Sequence, residues 1–373
     1  MTRMLRHILV LLTVCAQAAG CTILPELHLR QPMKAQIMLE TQVNVSVMWQ
    51  VNWQAQWQFP WSERSFGPVG YQEPSSIRVH EYPLDTEGHP MAHNVFNFHG
   101  TSTLMPITTG VYDLLFHNND SETLLFNSED ELGSIFCTTR QISSGLKESA
   151  HIQTTSQKAT RADSEPLTTE PVALMPDPLY VLYDRGQVIS DKREDYELID
   201  GRYVLHIHGE LNPATYIYLF QVKLLNNEGR VVGSNGGGAI TGVASGVDLQ
   251  TFITSASTVS VPMDVYFDPL TNTLGARVVT FGLPDINPYE EARSTKADGS
   301  THYLVLNITY NNSTWKNIRI DISEELCSLP LGGVINLELD VNDFPPEGGT
   351  SGGGFDALID EWEEESGSAT IVD

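Results

Sequence analysis

Several polar clusters in this 373-residue chain have types and spacings that could do chemistry. His206 and His208 stand two apart on one face of an expected strand, and imidazoles so placed can ligate a metal. No third ligand follows nearby in sequence, and paired strand histidines are commonly plain sheet residues. Gly242-Val243-Ala244-Ser245-Gly246 sets a serine between glycines, one place too late for a G-x-S-x-G nucleophile elbow. Gly236-Gly237-Gly238 would suit a phosphate if it opened a helix, but it leads into β-like Ala239-Ile240-Thr241-Gly242. Asp340-Val341-Asn342-Asp343 has an acidic spacing like that of a calcium loop. It lacks the glycine and the closing glutamate, and reads as a strand end. These residues lead us to expect neither catalysis nor a metal or dissociable cofactor.

One thiol stands apart. Arg3 and Arg6 give a positive start, Ile8 to Val14 an apolar core, and Ala18-Ala19-Gly20 the small residues that precede a cut. Residues 1–20 therefore read as a secretory signal, since seven strongly apolar residues are too few to span a bilayer. Cys21 follows at once, and a small-residue run ending in Cys resembles the lipobox of bacterial lipoproteins. There the cysteine receives diacylglycerol, the signal is cut before it, and the new amino terminus is acylated. Ala18 stands where Leu is usual, and the competing reading is an ordinary signal with a chance cysteine. Two or more acyl chains anchor a protein stably where one does not. Cys21 is the expected tether, and residues 21–34 its spacer.

Removal of residues 1–20 takes away two arginines, Arg3 and Arg6, and moves the formal net charge from −26 to −28. So acidic a chain repels nucleic acid and anionic headgroups. Of its four cysteines, Cys15 leaves with the signal and Cys21 takes lipid. Cys137 and Cys327 either pair, as an exported protein allows, or stay as two buried thiols.

The positioning elements read as strands. From Ala35 to Trp61 the odd positions are almost all apolar and the even ones mostly Gln, Asn, Glu and Ser, the period of a half-buried strand. A strand that long must bend or break. Trp49, Trp53, Trp57 and Trp61 share its apolar phase and so belong to a core, or they form a flat aromatic platform for sugar rings. Short strands between Gly, Asn, Asp and Pro turns continue through Ser76–Tyr82, Asn94–Phe98, Gly110–Phe116 and Glu122–Asn127. After a polar stretch from Leu146 to Pro178 they resume, through Thr215–Leu225, Val261–Phe267, Leu274–Phe281, His302–Tyr310 and Trp315–Ile322 with Asn311–Thr314 as a hairpin loop, and run to Val341. The expectation is an all-β chain with one sandwich over 35–175 and a second, antiparallel, over 176–344. Residues 345–373 form a glycine-rich hinge and an acidic tail.

Together, the lipobox, Gly110-Val-Tyr-Asp-Leu-Leu-Phe-His-Asn-Asn119, Ala239-Ile-Thr-Gly-Val-Ala-Ser-Gly-Val-Asp-Leu249 and the hinge before Phe355-Asp356 and Trp362 point to a family. The chain resembles the Bacteroides-type fimbrial lipoproteins, the superfamily of FimB-like and minor-fimbria-anchor-like proteins, as a branch of it. The resemblance implies two tandem transthyretin-like (Greek-key) β-sandwich domains, a lipid anchor at Cys21 in the outer membrane, and a non-enzymatic role in the fimbrium. It implies fimbrial subunits as partners, joined by a strand that one subunit gives to another. Ala369, Thr370, Ile371 and Val372 are the candidate donor strand, with a solvated tail as the competing reading. Thr22-Ile23-Leu24-Pro25 lacks the acidic run associated with surface export, so both the cell surface and the periplasmic face stay open. The alternative function is a surface glycan-binding lipoprotein that meets host or other glycans through Trp49, Trp53 and Trp57.

Overall fold

The computed structural model describes residues 34–43, 56–142, 170–290 and 301–346, without side chains for 34–43, 235 and 236. Among these residues nineteen strands form from the alternating runs. They are β1 (Lys34–Val43), β2 (Ser76–Pro83), β3 (Asn94–His99), β4 (Ser102–Thr108), β5 (Gly110–Asn118), β6 (Leu124–Asn127), β7 (Phe136–Thr139), β8 (Tyr180–Ile189), β9 (Glu197–Ile199) and β10 (Arg202–Pro213). There follow β11 (Tyr216–Leu225), β12 (Val231–Ala244), β13 (Gly246–Asp248), β14 (Thr258–Met263), β15 (Val265–Asp268), β16 (Thr273–Thr280), β17 (Tyr303–Tyr310), β18 (Trp315–Asp321) and β19 (Gly333–Asp340). Two short helices, α1 (Glu63–Phe66) and α2 (Ser323–Cys327), complete the elements used below. The expected all-β class is what the chain adopts.

The chain divides into two compact units. The first takes Met1–Gln42, Ser75–Phe116 and Tyr183–Glu210; the second takes Val43–Pro74, His117–Leu182 and Leu211–Asp373. In the first, an eight-stranded sheet runs β3-β2-β5-β8-β10-β1-β4, with β9 beside β10. Ile77, Val79, Met105 and Leu114 are wholly buried in it.

The second unit is a sandwich. One layer is β15-β16-β11-β19, the other β14-β12-β17-β18, and a small sheet β13-β7-β6 accompanies them. Tyr216, Tyr218, Phe220, Val222 and Leu224 alternate along one face of β11. They meet Ile240, Val261, Leu304, Leu306 and Ile308 from the other layer in a single core. Each fully buried side chain of this kind contributes about 1.5–3 kcal/mol.

Two features differ from the sequence expectation. Val261–Phe267 is not one strand: it breaks at Asp264, so that Met263 ends β14 in one layer and Val265 opens β15 in the other, both still facing the core. That is a corner at which a strand changes sheet. The sandwich is also not wholly antiparallel, because β19 pairs with β11 in parallel from Tyr218↔Gly333 to Leu225↔Asp340. The alternation from Ala35 breaks, as a strand of that length must, and does not continue as a strand to Trp61. β1 ends at Val43, and residues 57–74 carry only α1.

Candidate functional site

Cys21, Trp49, Trp53 and Ala369, Thr370, Ile371 and Val372 lie outside the described residues. Trp57 and Trp61 lie within them, and show why the strand period stops. The outer face of β11 carries Ile217, Leu219 and Gln221, all buried, and residues 56–74 cross it as a strap. The strap's backbone groups bond to a side chain instead of a ladder. Gln221 Oε1 accepts from the N–H of Gln58 (2.7 Å) and Phe59 (2.8 Å). Its Nε2 donates to Gln56 O and Asn336 Oδ1, each at 2.7 Å. Phe59 then lies against Gly275 of β16, where a Cβ would stand 2.5 Å from the ring. Farther on, Val69 O accepts from Arg277 Nε (2.8 Å) and Tyr71 Oη donates to Thr215 O (3.1 Å). Burial lowers the Arg277 pKa, with Tyr71 and Tyr180 opposing that shift.

The aromatic rings of the strap pack on the sandwich and on one another. Trp57 and Trp61 are 6.2 Å apart with their planes at 58°, and Trp61 meets Tyr266 edge-on at 87°. Both indoles are half-buried against Ile217, Leu219, Val279 and Val334. Rings inclined by 58° do not present a common plane to a sugar. Phe66, at 39% exposed, rests on Tyr266 at 3.9 Å and is the open edge of this cluster.

The two runs that carried the resemblance hold the frame. In the first unit, Tyr112 donates to Thr108 O (3.0 Å) across the β4–β5 turn. Asp113, 4% exposed, accepts from Tyr183 Oη (2.6 Å) and Gly186 N (2.8 Å). In the second, Asn118 donates to Asp120 Oδ1 and Pro178 O and accepts from Tyr180 N. The other run ends β12 and forms β13. Gly242 has φ +76° and its N–H points at both oxygens of Glu170 (3.2 Å each), while Glu170 Oε2 accepts from Ser260 Oγ (2.7 Å). A Cβ on Gly246 would stand 2.3 Å from Cys137 O, and Asp248 Oδ1 accepts from Gln250 N and Thr251 N in a tight turn. No sequence pattern singled out Gln221 or Glu170, because each acts through a partner more than seventy residues away.

The other candidates are placed as follows. His206 and His208 share the exposed face of β10 with ring centroids 6.4 Å apart, and His206 Nε2 lies 3.2 Å from Glu197 Oε2. Ser245 follows β12, its N–H donating to Ser257 O. Gly237 and Gly238 lie inside β12 at a register shift, where Cβ atoms would stand 2.2 Å from Met263 O and 2.4 Å from Val305 O. They let backbones close up at a bulge. Asp340 ends β19, its Oδ1 accepting from Asn342 N and its Oδ2 from Asn226 Nδ2. Cys137 and Cys327 are both free thiols, and burial pushes the Cys137 pKa up, away from reactivity.

Among solved structures the chain is similar to a candidate adhesin from Bacteroides ovatus, at 17% identity over 85% of this chain and 94% of that one, with a TM-score of 0.48. It is similar to the fimbrial anchor protein Mfa2 from Porphyromonas gingivalis, at 13% identity over 82% and 90%, TM-score 0.40. A third is a candidate polysaccharide binding protein (DUF1812) from Bacteroides thetaiotaomicron, at 8% identity over 82% and 92%, TM-score 0.41. No curated protein matches the chain. The family model described as Domain of unknown function (DUF5119) matches residues 52–264, from before the strap to the corner at Asp264. That is more than half of the sequence, and the chain belongs to the DUF5119 family.

Proposed function

We propose that this protein is a non-catalytic, lipid-anchored outer-membrane protein that works in adhesion by seating or assembling fimbriae. The observation that carries the reading is the run Arg3, Arg6, Ile8–Val14, Ala18-Ala19-Gly20-Cys21 set ahead of two β-rich units. Diacylglycerol on the Cys21 sulfur and an acyl chain on its nitrogen supply the two hydrophobic anchors that stable attachment needs. The sandwich supplies strand edges: among the described residues β18 pairs with β17 only, and its other side suits β-strand addition by a fimbrial subunit.

The test is Cys21→Ser, expressed in a bacterium with lipoprotein processing. The unaltered chain is expected to enter the detergent phase on Triton X-114 partition and to give a mass for 21–373 plus diacylglycerol and one acyl chain. The variant is expected to stay aqueous. An unaltered chain that stays aqueous with residue 21 unmodified refutes the reading.

A further inference from the structure

We propose that residues 355–365, which lie outside the described residues, dock as an amphipathic helix on this chain's own sandwich, along its open side between β18 and β19. β14 and β15 share the corner at Asp264 on one side of the two layers. β18 and β19 end those layers opposite, so they border the other side together, joined in sequence through α2. Among the described residues each pairs along one edge only, β18 with β17 and β19 with β11. Ile318 and Ile320 of β18, and Leu337 and Leu339 of β19, pack on the sandwich core and stay half-buried. Their partners one strand inward, Leu306, Leu304, Val222 and Leu224, are buried. Each layer therefore ends in an apolar margin.

The described chain leaves the sandwich at this side. Phe344 is buried in the core and its carbonyl accepts from Tyr310 Oη. Arg230 links Asn342 to the β17–β18 hairpin, donating to Asn342 Oδ1 (2.9 Å) and accepting from the N–H of Asn311 (2.8 Å). Residues 347–354 follow, five of them glycine. They reach about 26 Å when extended, against about 23 Å for the whole of β18. Next come Phe355, Leu358, Ile359 and Trp362, spaced i, i+3, i+4, i+7, the apolar stripe of a helix. The stripe is about 10 Å long, and Ile318 to Ile320 about 7 Å. Facing sheets stand about 10 Å apart, close to a helix diameter, so one helix touches both margins. The segment carries Asp356, Asp360, Glu361, Glu363, Glu364 and Glu365 and no base, while β18 offers Lys316 and Arg319. Glu338 of β19 is exposed, where solvent screens its repulsion. So short a helix is marginal alone in water, and it forms as it docks. On the function proposed above, a fimbrial strand joining β18 would displace it.

The experiment is hydrogen–deuterium exchange by mass spectrometry on the full chain. Two variants accompany it: Ile359→Asp in the apolar stripe and Glu364→Gln on the face opposite. We expect amides of 355–365 to exchange about tenfold or more slower than in a free peptide. Ile359→Asp should return them to the free rate and speed exchange in β18 and β19, whereas Glu364→Gln should change neither. Dilution should leave the protection as it is, because the contact lies within one chain. Exchange of 355–365 at the free rate in the unaltered chain, or protection that survives Ile359→Asp, overturns the proposal. Protection without a response in β18 and β19 places the helix elsewhere and overturns this seat. Protection lost on dilution, with a solution mass of two copies, overturns it in favour of docking between copies.

Discussion

Gly275→Ala tests the strap that covers the outer face of β11. In an unobstructed position of compatible φ, glycine to alanine stabilises by about 0.4–1 kcal/mol, because the unfolded chain has fewer states to lose. Here the added Cβ meets Cγ, Cδ1 and Cδ2 of Phe59, each at 2.5 Å. Carbon contacts are comfortable at about 3.5–4.0 Å, so the ring must retreat by about 1 Å. The retreat also draws the Phe59 N–H from Gln221 Oε1, now 2.8 Å away, toward the limit of a hydrogen bond. Overpacking of this kind costs about 1–3 kcal/mol, which reverses the sign of the substitution. Urea unfolding followed by tryptophan fluorescence reads this directly. Phe59→Ala alone should cost about 3–5 kcal/mol, and the double variant should lose less than the sum, by about 1 kcal/mol or more. A Gly275→Ala chain as stable as its parent, or strict additivity of the two changes, would refute the contact.

Two further expectations concern other parts of the chain. Deleting residues 369–373 should abolish co-purification of fimbrial subunits from the native host if Ala369–Val372 is a donated strand; an unchanged yield ends that idea. The Asp184 carboxyl pKa is raised by burial and then by the neighbouring charge of Asp113. A raised carboxyl favours the protonated form in the fold, so its contribution is complete below the unfolded value of about 3.9 and is lost as pH rises through the folded one. Asp184→Asn should therefore raise Tm at pH 7 relative to the parent and leave it little changed at pH 3.

What the sequence discloses is set by how local the causes are. β11, β16, β17 and β18 lie within a residue or two of their apolar runs, and Asn311–Thr314 is the hairpin loop its composition announces. β12 is the longest strand and the least legible, since Gly233, Gly236, Gly237 and Gly238 supply no alternation. Its reason lies across the sheet, at Met263 O and Val305 O, which leave no room for a Cβ. Trp57 and Trp61 keep the phase of a strand while lying on a strap. Period two arises for any segment that turns alternate residues to a surface, and only Gln221, over 160 positions away, decides what the backbone bonds to. The return of residues 183–210 to the unit built from 75–116 is likewise unmarked, because no shift of composition accompanies it.

The runs that carry the family likeness bear on where recognition can arise. Tyr112 and Asp113 spend their polar groups on Thr108, Tyr183 and Gly186; Gly242, Gly246 and Asp248 serve a bulge, a close approach and a turn. Such residues are dictated by the frame, so they recur wherever the frame recurs and carry no information about a ligand. Gln221 likewise has both its amide atoms engaged, and Asp340 both its oxygens. If the chain joins fimbrial subunits as proposed, strand edges are where it would do so. β18 is one such edge, and its seven residues span about 23 Å, enough for a donated strand to form several main-chain bonds. Lys316 and Arg319 line that strand in a chain of net charge −26, so an added strand bearing carboxylates would be drawn to it and a basic one would not.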